Sequence, residues 1–347
     1  MKVTVIGAGS WGTAVAVHLA KSGSPNIVVT LCPRSEEQAQ QMIQKGANEH
    51  FLPGIKLPEN LHVNHDWRSL FEQVLEDDHL LIIATPLANL KTLSENIISH
   101  GFFPKSWIWL CKGIDPMNSQ LAHEMLEDVF HQHAGVSKQI QYGALSGPSF
   151  AIEVAQGLPC ALTIASQSKE LASLVQKMMH HDNMRIYETQ DMIGVELGGA
   201  IKNILAIATG VSDGLQLGLN ARAALITRGM AEMTRLGIAM GAQAETFAGL
   251  TGMGDLILTA TGDLSRNRKV GLELAKGKSL EATLKNLGHV AEGVRCASAV
   301  LNLAKKHHVD MPIVEAVCLL LDGQIQAGEA VIQIMAREPK HESSQTP

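Results

Sequence analysis

Lys202 stands in the middle of an apolar stretch, QDMIGVELGGAIKNILAIATG at 190–210, among Gly198, Gly199, Ala200, Ile201, Ile204, Leu205 and Ala206. Burying an ammonium group without a partner is costly. Burial also draws a lysine pKa down toward neutrality, which makes the side chain usable as an acid or base. Helical spacing puts Val195, Gly198, Gly199 and Ala206 on roughly the side of Lys202, a face small enough to be approached. A lysine whose stem packs while its head reaches water fits the same pattern. The helix alone leaves both readings open.

A second set of residues is suited to a dinucleotide. Gly7-Ala8-Gly9-Ser10-Trp11-Gly12 spells G-x-G-x-x-G, directly after the strand pattern KVTVI and at the opening of a helix. In that context Gly7 permits a tight turn, Gly9 lets backbone approach a pyrophosphate, and Gly12 allows close helix–strand packing. The free N–H groups at the helix start then face the phosphates. An NAD-selective site usually carries Asp or Glu at the end of the next strand. This chain has Cys32-Pro33-Arg34-Ser35 there, with no acid until Glu36. An arginine at that place can pair with a 2′-phosphate or stack on adenine. NADPH is therefore the expected cofactor, with NADH tolerated; a surface arginine without such a role is the alternative.

Other strand ends carry Thr85-Pro86, Lys112-Gly113 and Ser146-Gly147-Pro148-Ser149-Phe150-Ala151. Each alone is ordinary turn chemistry, yet ligands gather at the carboxyl ends of strands in open α/β sheets. Leu250-Thr251-Gly252-Met253-Gly254-Asp255 reads as a flexible loop ending in a carboxylate. Ser265, Arg266 and Asn267 at a helix start suit an anion, whereas Arg268 and Lys269 read as solvated charge.

These residues need a scaffold. Apolar runs at 2–6, 26–32, 79–84, 106–111 and 140–145 read as strands buried on both faces. Helical patterns near 11–22, 35–45, 87–99 and 119–131 alternate with them, which predicts a parallel, doubly wound α/β sheet. Runs at 158–166 and 184–189 extend it. After Asp191 helical periodicity dominates, with glycine-rich breaks near 210–220 and 249–255. The division is a dinucleotide-binding domain over 1–190, a helical substrate domain over 191–336 and a polar tail over 337–347.

The 347 residues suffice for two domains, and 46% hydrophobic with 18% charged residues is globular composition. A net charge of −6 argues against nucleic-acid binding. Five scattered cysteines suit a reducing cytoplasm and show no zinc spacing, and no metal is expected. His180-His181 and His307-His308 read as surface pairs. No signal peptide is visible at the start, and Glu196 and Lys202 interrupt the most apolar helix, so no membrane span is expected.

A resemblance covers about residues 1–335. Its motifs are GAGSWGTAVA at 7–16, NEHFLPGIKLPENL at 48–61, CKGI at 111–114, SGPSFAIEV at 146–154 and GVELGGAIKNILAIATGVSDGL at 194–215. TRGMAE at 227–232, GLTGMGDL at 249–256, SRNRKVG at 265–271, VAEGV at 290–294 and DMPI at 310–313 complete it. The chain resembles the bacterial-type NAD(P)-dependent glycerol-3-phosphate dehydrogenases. That resemblance implies reversible reduction of dihydroxyacetone phosphate to sn-glycerol 3-phosphate for phospholipid synthesis, and a homodimer. It implies Lys202 as proton donor and acceptor, with Lys112, Gly147, Ser149, Asp255, Ser265, Arg266 and Asn267 as further substrate positions. Ser10, Trp11, Arg34, Lys112, Ala151, Arg266, Val290 and Glu292 match cofactor positions. Two departures stand out: Phe51 where the family commonly has tyrosine, and Pro33 before Arg34. A two-domain hydroxyacid dehydrogenase of the 6-phosphogluconate kind is the alternative enzyme. A non-catalytic dinucleotide sensor is the alternative of another class, but it has no need of Lys202, Asp255 and Ser265-Arg266-Asn267 together.

Overall fold

The computed structural model describes residues 1–22, 26–71, 79–133, 140–181, 183–287 and 291–337. The first part alternates strands and helices: β1 (Lys2–Ile6), α1 (Ser10–Lys21), β2 (Val28–Cys32), α2 (Glu36–Lys45), β3 (Leu61–Val63), α3 (Trp67–Phe71) and β4 (His79–Ile83). Then come α4 (Leu90–Ser99), β5 (Ser106–Trp109), α5 (Ala122–Gln132), β6 (Gln141–Ser146), α6 (Ala151–Gln156), β7 (Cys160–Ala165), α7 (Lys169–Met179) and β8 (Met184–Thr189). The strands form one sheet in the order β3-β2-β1-β4-β5-β6-β7-β8. Its first six positions are the doubly wound dinucleotide-binding order, which reverses between β1 and β4. Residues alternate between the faces: Leu80 and Ile82 join a core with α1 and α7, while Leu81 and Ile83 join one with α4 and α5.

Two departures from the sequence reading concern the sheet. The pairing is parallel except between β6 and β7, which run antiparallel. The short helix α6 lies between them, so the chain re-enters the sheet from the end at which it left, without the crossover a parallel partner needs. β3 went unforeseen, because its three residues Leu-His-Val are too few to show a pattern.

The second part is helical. It comprises α8 (Met192–Gly214), α9 (Gly218–Ala239), α10 (Ala244–Ala248), α11 (Asp255–Thr261), α12 (Arg266–Ala275), α13 (Leu280–Leu287), α14 (Glu292–Lys306), α15 (Pro312–Leu321) and α16 (Ala327–Met335). α8 is the axis of this part. It is long and apolar enough to cross a membrane, but 94% of its most apolar window is buried inside the protein. Asp191 caps it, accepting from the Gly194 amide at 2.9 Å.

The expected break at 210–220 is confined to 215–217, since Gly210 and Gly214 lie within α8. They are there for packing. A Cβ on Gly210 would stand 2.1 Å from the Arg268 carbonyl oxygen of α12, and one on Gly271 2.1 Å from that of Ile207. Only bare backbone permits so close a crossing. Arg268, read as solvated, is instead held by Asp213 at 2.8 Å and Asp263 at 2.9 Å, with Arg222 also on Asp213. The expected flexible loop at 250–255 is one turn of π-helix, Leu250–Gly254, running straight into α11. His180 is exposed, as expected of a surface pair, while His181 is half-buried and stacks on buried His18 with ring centroids 4.0 Å apart. Of the expected tail only Arg337 is described, paired with Asp310 at 2.5 Å.

Candidate active site

The carboxyl edge of the sheet meets the helical part around Asp255. This residue opens α11 and is 1% exposed. One carboxylate oxygen accepts from Lys112 Nζ at 2.6 Å; the other accepts from Lys202 Nζ. Lys112 lies just past the end of β5 and also donates to the Gly147 carbonyl at 3.2 Å. Lys202 comes from the middle of α8 and donates to Thr259 Oγ1 at 3.0 Å. Two cations from the two parts of the chain are thus clasped by one buried carboxylate.

Lys202 is buried, not snorkelling. Burial draws its pKa down to about 7; Asp255 pulls it up, and the Lys112 charge pushes it down. Amine and ammonium are then both populated near neutrality, as a proton-transfer residue requires. Gly198 and Gly199 make room. A Cβ on Gly198 would stand 2.6 Å from the Thr251 carbonyl oxygen, and one on Gly199 would stand 3.3 Å from Lys112 Cγ.

Ser265 caps α12, its hydroxyl accepting from the Arg268 amide at 3.2 Å. The Arg266 and Asn267 amides, in the first turn of α12, have no carbonyl within the helix. The Arg266 side chain is exposed. Asn267 is less available than the sequence suggests. Its amide donates to Asn203 Oδ1 at 2.9 Å and accepts from the Gly293 amide at 3.0 Å, so its side chain braces α12 against α8 and α14. Glu292 opens α14; burial raises its carboxyl pKa, countered by Arg295 and Arg266.

At the reversal between β1 and β4 the glycines divide their tasks. Gly7 has φ of 115°, and a Cβ there would stand 2.7 Å from Ala84 backbone. A Cβ on Gly12 would stand 2.0 Å from the Gly7 carbonyl oxygen, whereas one on Gly9 meets nothing within 4 Å. The first-turn amides of Ser10, Trp11 and Gly12 face outward from the helix without intrahelical partners. Trp11 Nε1 and Thr85 Oγ1 are buried without a hydrogen-bond partner among the described residues. This open glycine, with unspent donors around it, fits a dinucleotide. Ser10 Oγ donates to the Phe51 carbonyl at 2.6 Å, a contact that needs no tyrosine hydroxyl. Arg34 is exposed beyond β2, on buried Pro33. Ser149 Oγ bonds the Gly147 carbonyl at 3.1 Å, and Ala151 begins α6. Val290 lies outside the described residues.

Family models described as the N-terminus and C-terminus of NAD-dependent glycerol-3-phosphate dehydrogenase match residues 2–172 and 191–332. The chain belongs to this family. Among its relatives, glycerol-3-phosphate dehydrogenase [NAD(P)+] of Polynucleobacter asymbioticus is 52% identical over 345 residues, spanning 99% of this chain and 100% of that protein. The enzyme of the same name from Ralstonia nicotianae is 52% identical over 343 residues, spanning 99% of each. The crystal structure of glycerol-3-phosphate dehydrogenase from Coxiella burnetii superposes with a TM-score of 0.88 at 37% identity, covering 97% of this chain and 99% of that one.

Within this glycerol-3-phosphate dehydrogenase fold, three site features escaped sequence reasoning. Thr259 lies one helical turn past Asp255 on α11, and that spacing is its only sequence signal. Asn203 sits beside Lys202 and carries the brace to Asn267. Glu196, read only as an interruption of an apolar helix, is buried among Trp109 and His123; the burial of that helix was the available signal.

Proposed function

We propose that this protein reversibly reduces dihydroxyacetone phosphate to sn-glycerol 3-phosphate, with NADPH preferred and NADH accepted. The observation that carries the reading is the clasp of Lys112 and Lys202 on Asp255 at the sheet's carboxyl edge. Gly7, Gly9, Gly12, Ser10, Trp11, Ala151 and Glu292 would hold the dinucleotide, and Arg34 would meet a 2′-phosphate. The bound nicotinamide supplies the hydride. Lys202, as ammonium, stabilises charge growing on the carbonyl oxygen and gives it a proton; as neutral amine it takes the hydroxyl proton in reverse. Asp255 fixes the direction of that ammonium, and burial, with the Lys112 charge adding to it, keeps its pKa low. Arg266, Ser265 and the first-turn amides of α12 hold the phosphate, so that remote binding energy aligns the carbonyl. Asn267 serves this site through its backbone and its brace.

The proposed division at residue 190 separates alternating strands and helices from helices alone, and both sides contribute groups to the site. Five unpaired cysteines suit the cytoplasm. A homodimer belongs to the same reading, and Ile332 and Met335, side by side on α16 and exposed at 67% and 78%, are apolar surface open to a second copy. The deciding experiment follows NADPH absorbance in the purified protein. Dihydroxyacetone phosphate should trigger oxidation and unphosphorylated dihydroxyacetone should support far less; no oxidation with the phosphate ester rejects the assignment.

A further inference from the structure

We propose that Glu196 is a positioning residue for the reaction: it ties α8 to β5 and α5, and so sets where Lys112 stands against Asp255. The proposal rests on the assignment of Lys112, Asp255 and Lys202 made above. Glu196 is 7% exposed in an otherwise apolar stretch of α8. A carboxylate so placed is tolerated only with strong partners, and all those it finds belong to the other part of the chain. It accepts from Trp109 Nε1 at 3.0 Å and from the His123 amide at 3.1 Å, and it meets His123 Nδ1 at 2.5 Å.

Each contact leads toward the site. Trp109 ends β5, and Lys112 follows it by three residues. His123 lies in the first turn of α5, so Glu196 fills an unsatisfied amide at that helix start. Along α8, Glu196, Gly199 and Lys202 succeed one another at spacings of three, which places neighbours side by side on a helix surface. The Lys112 stem crosses α8 at Gly199, where an added Cβ would stand 3.3 Å from Cγ and 3.5 Å from Cδ. The helix therefore presents an anchor, a groove for Lys112 and the reacting lysine in sequence. The space left between Cys111, Lys112, Ser146, Glu196 and Gly199 is a cavity of about 10 Å³, scarcely room for one water, so Lys112 is held closely while the anchor is in place. The buried Ser146 hydroxyl is without a partner among the described residues.

The test uses the full-length protein. Glu196→Ala should lower kcat about tenfold or more while leaving the NADPH Kd, read by nucleotide fluorescence, within about twofold. Glu196→Gln, which still accepts from Trp109 and the His123 amide, should recover most of the loss. Because Glu196 acts through Lys112, the two should not add: in a Lys112→Ala background, Glu196→Ala should cost less than about threefold more. If Glu196→Ala fails to fold, Trp109→Phe, which removes one donor and keeps an aromatic six-membered ring in the core, enters the same cycle. Losses that multiply independently, or a kcat unchanged by either anchor variant, overturn the proposal. Absence of dihydroxyacetone phosphate reduction in the unaltered protein overturns instead the assignment on which it rests.

Discussion

At the scale of single residues, the proton-transfer role proposed for Lys202 makes its protonation state the quantity to test. Its pKa, drawn down by burial to about 7, separates an ammonium below from an amine above. In the proposed mechanism reduction uses the ammonium, so its kcat/KM should fall as pH rises through about 7; oxidation uses the amine, so its kcat/KM should rise through the same region. Lys202→Arg keeps a charge that is never released and should be nearly inactive in both directions at every pH. Flat profiles in both directions, or a working arginine variant, would remove Lys202 from proton transfer. Lys202 was legible as a candidate because an ammonium inside so apolar a helix is costly unless it has a partner or a task, although a head reaching water fitted the same pattern. Thr259 and the internal hydrogen bonds of Asn267 were not, because a helical threonine usually bonds its own backbone and the Asn267 partner lies 64 residues away.

At the scale of elements, the glycine turn between β1 and α1 separates binding from folding. Gly9 and Gly12 belong to one motif but face different surroundings. A methyl at Gly9 enters open space, whereas a methyl at Gly12 collides with the Gly7 carbonyl. Gly9→Ala should keep its melting temperature within about 2 °C, since nothing is overpacked, and weaken NADPH binding about tenfold or more where backbone must approach phosphate. Gly12→Ala should instead cost stability, about 1–3 kcal/mol or more. Thermal melts with nucleotide titration distinguish the two; equal nucleotide affinity in Gly9→Ala and the unaltered chain would mean that no pyrophosphate lies there. The strand–glycine–helix order was readable since each signal is local. The antiparallel pairing of β7 was not, because an apolar run carries no direction. The π-turn at 250–254 was missed because its glycines read as slack; a Cβ on Gly252 would in fact stand 2.1 Å from the Phe247 carbonyl oxygen.

At the scale of the whole molecule, two electrostatic tendencies oppose each other. The chain carries a net charge of −6, which repels an anionic substrate at long range. The proposed site sets Lys112, Arg266 and the partly protonated Lys202 against Asp255 and Glu292, a small local excess of positive charge. Distance decides between them: screening acts over roughly 10 Å at 0.1 M salt and roughly 30 Å at 0.01 M. Spread over the molecule, the negative charge is damped first, while the pocket acts at short range on the final approach. Between about 0.05 and 0.3 M salt, kcat/KM for dihydroxyacetone phosphate should therefore fall as the remaining pocket attraction is screened. Arg266→Ala should raise KM and flatten that slope, because its exposed guanidinium is the pocket cation most open to salt. A kcat/KM that climbs with salt over this range would show that net repulsion governs encounter, and an unchanged slope in Arg266→Ala would take the phosphate away from the start of α12.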